Sequence, residues 1–109
     1  MHHDEIPPGT LYLLILKALA RGGELHGYEI ATWVEQVSDE ILQVQEGSLY
    51  PALQRMLVKG WVTAKWGITA GNRRARYYRL TSLGRKQLEV EVSQFERVVQ
   101  AITRAIEIA

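Results

Sequence analysis

The sequence predicts a small protein of the mainly α, α+β class. Three segments with apolar residues at helical spacing come first, two short aromatic-rich segments follow, and a long segment with a heptad-like repeat comes last. With 109 residues, of which 47% are hydrophobic and 23% charged, the chain is long enough for one small core. The absence of cysteine excludes a disulfide framework and thiolate metal sites. We therefore expect one compact unit extended by a C-terminal helix.

The first two helices are predicted from a break in the chain, a capping residue and the spacing of apolar residues. Pro7-Pro8-Gly9-Thr10 provides a stop followed by an N-cap, and apolar residues then recur at helical spacing as far as Gly22-Gly23. A second helix is expected after Leu25-His26-Gly27, with His26 as a cap or a packing residue. Its apolar face is expected to consist of Ile30, Val34 and Val37.

The third helix is expected to begin between residues 46 and 48 and to end at Gly60. Pro51 is compatible with this start if it lies in the first turn, where a missing N–H costs nothing. The residues expected to turn inward are Leu49, Leu53, Met56 and Leu57.

An antiparallel hairpin is predicted after the third helix. Residues 61–66 are β-branched and aromatic, residues 76–80 are again rich in aromatic residues, and residues 67–75 between them contain Gly71-Asn72. The expected tip, residues 72–76, carries Arg73, Arg74 and Arg76 and no hydrophobic residue larger than alanine. We therefore expect a hairpin with a long basic tip.

The last helix is predicted to run from residue 82 to residue 108, with Thr81 or Ser82 as its cap. At about 1.5 Å per residue it would be roughly 40 Å long, which is more than so small a core can cover. We therefore expect a domain of residues 1–81 and a dimerisation helix of residues 82–109. The residues expected to form the seam of a homodimer are Leu88, Val92, Phe95, Val99, Ile102 and Ile106.

The charges of the chain are strongly segregated. Residues 47–88 contain nine Lys or Arg residues and no Asp or Glu, whereas the remainder contains four basic and twelve acidic residues. A net charge of +1 therefore hides a +9 segment beside −8 elsewhere. Such a segment predicts a surface that meets a polyanion, with nucleic acid as the first candidate and an acidic protein partner as the alternative.

The order of elements, three helices and then a hairpin, is that of a winged helix-turn-helix, in which the third helix enters the major groove and the hairpin lies across the adjacent backbone. The side chains left facing outward on the third helix are Ser48, Tyr50, Pro51, Gln54 and Arg55. Gln54 can pair with an adenine edge, and Arg55 can bind a phosphate or a guanine. Arg73, Arg74 and Arg76 are expected to bind phosphates, with Lys65 as a secondary contact. The alternatives are an ordinary solvated helix face and a solubilising loop tip.

Other classes of function find little support. His2 and His3 have no third ligand beside them, so we expect neither metal nor cofactor. Ser48 and His26 come without a nucleophile elbow or an oxyanion loop, so we expect no enzyme. The uncharged stretch of residues 6–16 is too short to cross a bilayer of about 30 Å, and no basic leader precedes it. We therefore expect a cytoplasmic protein without membrane contact.

Four blocks of residues resemble those of a known family. They are Leu25-His26-Gly27-Tyr28-Glu29-Ile30, Glu46-Gly47-Ser48-Leu49-Tyr50-Pro51-Ala52-Leu53, Gly60-Trp61, and Arg76-Tyr77-Tyr78-Arg79-Leu80-Thr81 followed by Gly84. In this order they resemble the PadR family of bacterial transcription regulators, and the resemblance covers about residues 11–84.

The resemblance implies a winged-helix homodimer, usually a repressor, that binds a palindromic operator in double-stranded DNA. It implies that Ser48, Tyr50 and Pro51 face the DNA, and that Tyr28 contacts a phosphate or supports the third helix. Because only one helix follows the hairpin, the chain is similar to short members whose last helix dimerises.

The resemblance also implies a small aromatic effector, since some relatives bind aromatic or drug-like molecules at the dimer interface. Trp33, Trp61 and Trp66 are the candidates to line such a pocket. Core packing explains these tryptophans equally well.

Overall fold

The computed structural model describes residue 6 and residues 9–108, and it has four helices and a small antiparallel sheet in these residues. The elements are α1 (Leu11–Gly22), β1 (Glu24–His26), α2 (Gly27–Val37), α3 (Glu46–Val58), β2 (Val62–Ile68), β3 (Arg74–Leu80) and α4 (Ser82–Glu107). The predicted mainly α, α+β class is confirmed. The predicted break at Pro7-Pro8 and the paired His2 and His3 lie outside the described residues.

The first two helices pack their apolar faces together. Ile15, Leu16 and Leu19 of α1 are buried, as are Ile30 and Val34 of α2. α2 begins with a reciprocal cap, because His26 Nδ1 accepts from the Glu29 N–H at 3.4 Å and Glu29 Oε1 accepts from the His26 N–H at 3.0 Å.

The prediction for Val37 was wrong, because its side chain is 58% exposed. Val37 is the last residue of α2, and Ser38 caps the helix directly after it. The apolar spacing therefore continues one turn further than the packed surface does.

α3 ends at Val58, and Gly60, two residues later, is left-handed with φ of 77°. Leu49, Leu53 and Met56 are buried as predicted, and Leu57 is half-buried. Pro51 lies in the second turn and not in the first, because the helix begins at Glu46. A proline at this place lacks the N–H that would bond to the carbonyl of Gly47.

The sheet has the strand order β1-β3-β2, and both pairs are antiparallel. The prediction that Arg74 and Arg76 lie in the tip was wrong, because both belong to β3 and only residues 69–73 connect the strands. β1 pairs Leu25 with Tyr78. Its three residues are too few to show an alternating pattern, so the sequence did not predict it.

One core holds the helices and the base of the hairpin together. Val62, Tyr78 and Leu80 are buried with the apolar residues of the first three helices. The half of the hairpin nearest its tip projects beyond this core, where Trp66 and Ile68 are more than 60% exposed.

α4 starts inside the core and then leaves it. Thr81 Oγ1 accepts from the Gly84 N–H at 3.0 Å and donates to the Gly60 carbonyl at 2.6 Å, which joins the start of α4 to the end of α3. Gly84 is buried, and Leu88 packs against the core. With 26 residues, α4 is about 39 Å long, close to the length predicted. None of the helices in the described residues is both long and apolar enough to cross a bilayer.

Candidate nucleic-acid interface

The outer face of α3 is a stripe without charge. At 3.6 residues per turn, Gly47, Pro51, Gln54 and Val58 lie on the side opposite the buried residues, and all four are exposed. Gln54 supplies the only side-chain amide of this stripe. Val58, 80% exposed, was not predicted, although its spacing from Pro51 and Gln54 places it on their face. Because none of its side chains is charged, this stripe can contact base edges without being drawn to the phosphates.

Tyr50 lies on one flank of α3 and covers the first turn of α2. A Cβ atom at Gly27 would lie 2.8 Å from both Cε1 and Oη of Tyr50, so the absence of a side chain at Gly27 makes room for the ring. Tyr50 is also close enough to Tyr78 to affect its pKa. The phenol is therefore held between α2 and the hairpin while remaining half exposed.

One face of the hairpin carries cationic and aromatic side chains together. The register pairs Trp66 with Arg76 and Ile68 with Arg74, so these four residues share a face with Tyr78. Arg74 Cζ lies 4.7 Å from the centroid of the Trp66 ring, a cation–π distance. Both arginines are thereby directed along the same face of the wing.

Arg76 lies close enough to Tyr78 for its charge and a side-chain hydrogen bond to affect the pKa of the phenol. Burial raises the pKa of Tyr78, the charge and hydrogen bond of Arg76 lower it in part, and Tyr50 raises it further. Tyr78 therefore stays a neutral phenol in the physiological range. Neither Tyr78 nor Gly27 was predicted as a site residue, because both act through contacts that a linear pattern does not reveal.

A groove of about 840 Å³ separates the start of α2 and Tyr50 from the hairpin. The predicted site residues that line it are Tyr28, Tyr50, Arg73, Arg74 and Arg76, together with Trp66. Its one acidic lining residue, Glu29, is engaged with the backbone of His26 in the α2 cap. Three guanidinium groups and several aromatic rings therefore face a single open groove, which suits an anionic polymer.

Three predicted contacts lie away from this groove. Lys65 pairs with Tyr77 on the opposite face of the hairpin, and its Nζ lies 3.4 Å from Glu24 Oε2. The structure therefore does not bring Lys65 to the groove. Arg55 is on the flank of α3 away from Tyr50, where its Nε donates to Tyr12 Oη at 2.6 Å. Ser48 is exposed on that same flank.

The three tryptophans do not form one pocket. Trp33 and Trp61 pack against the core, whereas Trp66 is 61% exposed and lines the groove. Within residues 6 and 9–108, no group of three or more His, Cys, Asp or Glu residues is placed to hold a metal ion.

A second exposed surface runs along α4. Leu88 and Val92 of the predicted seam are half-buried, and Leu88 packs within its own chain. The remaining four, Phe95, Val99, Ile102 and Ile106, are between 42% and 77% exposed, and Ile106 is the most exposed of them. This part of the stripe has no cover within the described chain.

The chain is similar in sequence to known transcriptional regulators. The profile of the transcriptional regulator PadR-like family matches residues 15–90. The negative transcriptional regulator PadR of Bacillus subtilis (strain 168) is 27% identical over 70 residues, which make up 64% of this chain and 38% of that protein.

Two solved structures show the same arrangement of elements. A transcriptional regulator from Clostridium thermocellum has a TM-score of 0.80 at 28% identity, covering 88% of this chain and 92% of its own. Bacillus subtilis PadR in complex with operator DNA has a TM-score of 0.67 at 25% identity, covering 76% of this chain and 46% of its own. The chain thus spans less than half the length of that protein.

Proposed function

The chain belongs to the transcriptional regulator PadR-like family, and we propose that it is a homodimeric repressor that binds a palindromic operator in the bacterial cytoplasm. Members of the family are transcriptional regulators and not enzymes. The side chain of His26 is occupied as a helix cap, which fits that assignment.

The groove between Tyr50 and the hairpin carries the proposal. Arg73, Arg74 and Arg76 line it, and Arg74 and Arg76 are oriented by Trp66 and Tyr78. A guanidinium group binds phosphate oxygens in a bidentate way, and fixing its direction in advance lowers the entropy lost on binding. The groove therefore suits a DNA backbone beside a helix inserted in the major groove. Tyr28, at the rim of the same groove, is placed to contact a phosphate.

The outer stripe of α3 supplies the sequence preference in this proposal. An α-helix is about 10–12 Å wide and the major groove about 12 Å, so α3 fits with its exposed face toward the bases. Gln54 is the reader of an adenine edge, Pro51 contacts apolar base edges, and Ser48 and Tyr50 contact the backbone at either side.

The α4 stripe supplies the dimer. Two copies paired along Phe95, Val99, Ile102 and Ile106 would bury apolar surface that one chain leaves exposed. A two-fold axis through that pair requires two half-sites about 34 Å apart, which is one turn of DNA. The Bacillus subtilis relative is a negative transcriptional regulator, which supports repression as the sign of control.

A small aromatic effector completes the proposal as the signal that relieves repression. It would act by binding better to a dimer whose two α3 helices do not match the half-site spacing, since only a difference in affinity moves such an equilibrium. Trp33 and Trp61 pack against the core, and we place the pocket for the effector between the two protomers.

The test is DNA binding by mobility shift over a range of salt concentrations, with fragments retained from genomic DNA. Changing Arg73→Ala and Arg74→Ala together is expected to weaken binding to all sequences. The slope of log K against log salt, which is negative, should also become shallower by about 0.9 for each phosphate that the wing no longer binds.

The matched control is Arg85→Ala with Lys86→Ala, which removes two charges from the same acid-free segment but outside the groove. An unchanged slope in the wing variant would remove the groove from the mechanism. A wild-type protein that retains no DNA at low salt, but binds an acidic protein, would favour the alternative of a protein-interaction module.

A further inference from the structure

We propose that Arg55 and Lys59, positioned by Tyr12 and Trp61, form a second phosphate-binding clamp on the flank of α3 opposite the wing. The clamp would contact the DNA strand across the major groove from the one that the wing contacts. This inference rests on the proposed function, because it concerns how the same operator is held.

The four side chains form one connected cluster. Arg55 Nε donates to Tyr12 Oη at 2.6 Å, and the Tyr12 ring meets the Trp61 ring edge to face, with centroids 5.3 Å apart and an interplanar angle of 88°. Lys59 Nζ lies 5.2 Å from the centroid of the Trp61 ring. Tyr12 comes from α1 and Trp61 from the turn after α3, so three separate parts of the chain converge here.

The cluster lies on the correct side of α3 for this role. Tyr50 and Arg55 are five residues apart, which places them about 140° apart around the helix axis. They therefore flank the uncharged stripe of Pro51 and Gln54 from its two sides. Because the helix nearly fills the major groove, each flank of α3 comes close to one of the two phosphate backbones.

The chemistry of the cluster leaves its cations available. The bond to Tyr12 uses Arg55 Nε only, so the two Nη groups keep four donors for phosphate oxygens. The Tyr12 hydroxyl, which accepts from Arg55, still has its own proton to donate to the same phosphate. No carboxylate of the described residues forms an ion pair with Arg55 or Lys59. The ring of Trp61 stabilises the Lys59 ammonium without neutralising it.

Tyr12 is a positioning residue in this proposal. It limits the rotation of the Arg55 side chain, which reduces the entropy lost when the guanidinium binds a phosphate. A purely structural role would be different, because the Tyr12–Arg55 bond would then only join α1 to α3 and would stabilise the fold whether or not DNA is present.

The experiment compares Arg55→Ala, Lys59→Ala and Tyr12→Phe with wild type on the genomic fragment that wild type binds most tightly. Each alanine variant is expected to make the negative slope of log K against log salt shallower by about 0.9. Tyr12→Phe is expected to weaken binding roughly 3- to 10-fold with a smaller change in slope. Arg55→Lys should restore the slope while leaving the affinity below wild type, because lysine binds phosphate only as a point charge. Lys86→Ala is the control for a loss of charge outside the clamp.

Phosphate ethylation interference on the same fragment locates the contacts. Wild type is expected to show two clusters of sensitive phosphates per half-site, one on each strand. Arg55→Ala should remove one cluster, and the wing variant should remove the other. A single cluster that only the wing variant removes would overturn the clamp.

The outcomes separate the clamp from the proposed function. If Arg55→Ala and Lys59→Ala keep the wild-type slope while the wing variant loses it, the clamp is wrong and the DNA-binding function stands. If Arg55→Ala and Tyr12→Phe lower Tm equally and leave the slope intact, the cluster is structural and the clamp is wrong. If wild type binds no DNA, both are overturned.

Discussion

At the scale of single residues, the shape of the proposed DNA-binding groove depends on the absence of a side chain at Gly27. Gly27 opens α2, and the Tyr50 ring occupies the space where its Cβ would be. Glycine there does not serve a left-handed turn; it permits a close approach of a ring to a backbone. The position of Tyr50, and with it one wall of the groove, is therefore set from α2.

Gly27→Ala is expected to weaken DNA binding several-fold with little change in Tm. The new methyl group displaces the Tyr50 ring, which is half exposed and free to rotate outward, so the cost falls on the groove and not on the core. A double-mutant cycle with Tyr50→Ala checks the route. If Gly27→Ala still weakens binding in the Tyr50→Ala background, the effect does not pass through the ring.

Tyr78 makes the free energy of unfolding depend on pH in the alkaline range. Burial raises the pKa of Tyr78 above the usual tyrosine value of about 10. Below that value both folded and unfolded chains hold the proton, so Tyr78 adds no pH dependence. Above it the unfolded chain releases the proton first, so stability falls as pH rises. Urea unfolding from pH 8 to 11 should therefore show a steeper alkaline loss for wild type than for Tyr78→Phe. Parallel curves would contradict the assignment.

At the scale of elements, hydrogen bonds of Thr81 tie the start of α4 to the end of α3. Thr81 caps α4 and donates to the carbonyl of Gly60 at the end of α3. Its own N–H bonds to the carbonyl of Trp61 at 3.1 Å, and a Cβ at Gly84 would collide with that same carbonyl oxygen. α3, the start of the hairpin and α4 are thereby fixed to one another through backbone atoms.

Gly84→Ala is expected to destabilise the protein by about 3 kcal/mol, because the colliding atom belongs to the backbone and cannot rotate away. Urea unfolding measures this loss. Gly47→Ala is the matched control, since no atom lies within 4 Å of the Cβ it would introduce inside α3. Equal stability of the two variants would show that α4 is able to move away from Trp61.

The elements show which parts of the fold a sequence reveals. The four helices and the hairpin were predicted because their apolar spacing extends over several turns or residues. The faces were predicted less well, because a strand residue changes face with a shift of one position, and nothing in the chain specified that Lys65 points away from Arg76. The bond between Tyr12 and Arg55 joins residues 43 positions apart, so no local pattern contains it.

The candidate site was predicted in outline for the same reason. The acid-free segment located the wing arginines, the helical spacing located Tyr50, and the resemblance added Tyr28. The residues that position them, Gly27, Trp66 and Tyr78, were missed because their roles depend on contacts between elements. For Gly27 the sequence does hold a signal, because this glycine stands at the first position of a helix directly before Tyr28 of the resemblance block.

At the scale of the whole molecule, the charges and the apolar surface lie on different elements. The wing arginines and the clamp cations of α3 belong to the acid-free segment, whereas the exposed stripe of α4 lies beyond it among acidic residues. In the proposed dimer, this separation would make the α4 surface unattractive to DNA, so that each surface would have one kind of partner.

Replacing Phe95 and Val99 with Glu is expected to convert a dimer to a monomer, because two carboxylates would have to be buried in the seam. Light scattering at fixed concentration measures the mass. Ser93→Glu with Gln100→Glu adds the same charge on the opposite face of α4 and should leave the dimer intact. A dimer that persists in the first variant would place the interface elsewhere.

The junction at Gly84 couples the direction of α4 to the direction of α3. Because the hydrogen bonds of Thr81 hold the start of α4 against the end of α3, a change of about 5° in the direction of α4 moves its far end by about 3 Å and turns α3 with it. The same relation works in reverse, since a small change in the crossing angle of two paired α4 helices would swing both α3 helices along the DNA axis. A shift of a few ångströms in the position of the two α3 helices relative to the two half-sites is comparable to the rise of one base pair. In the proposed dimer, a change in the packing of the two α4 helices would therefore change the distance between the two α3 helices.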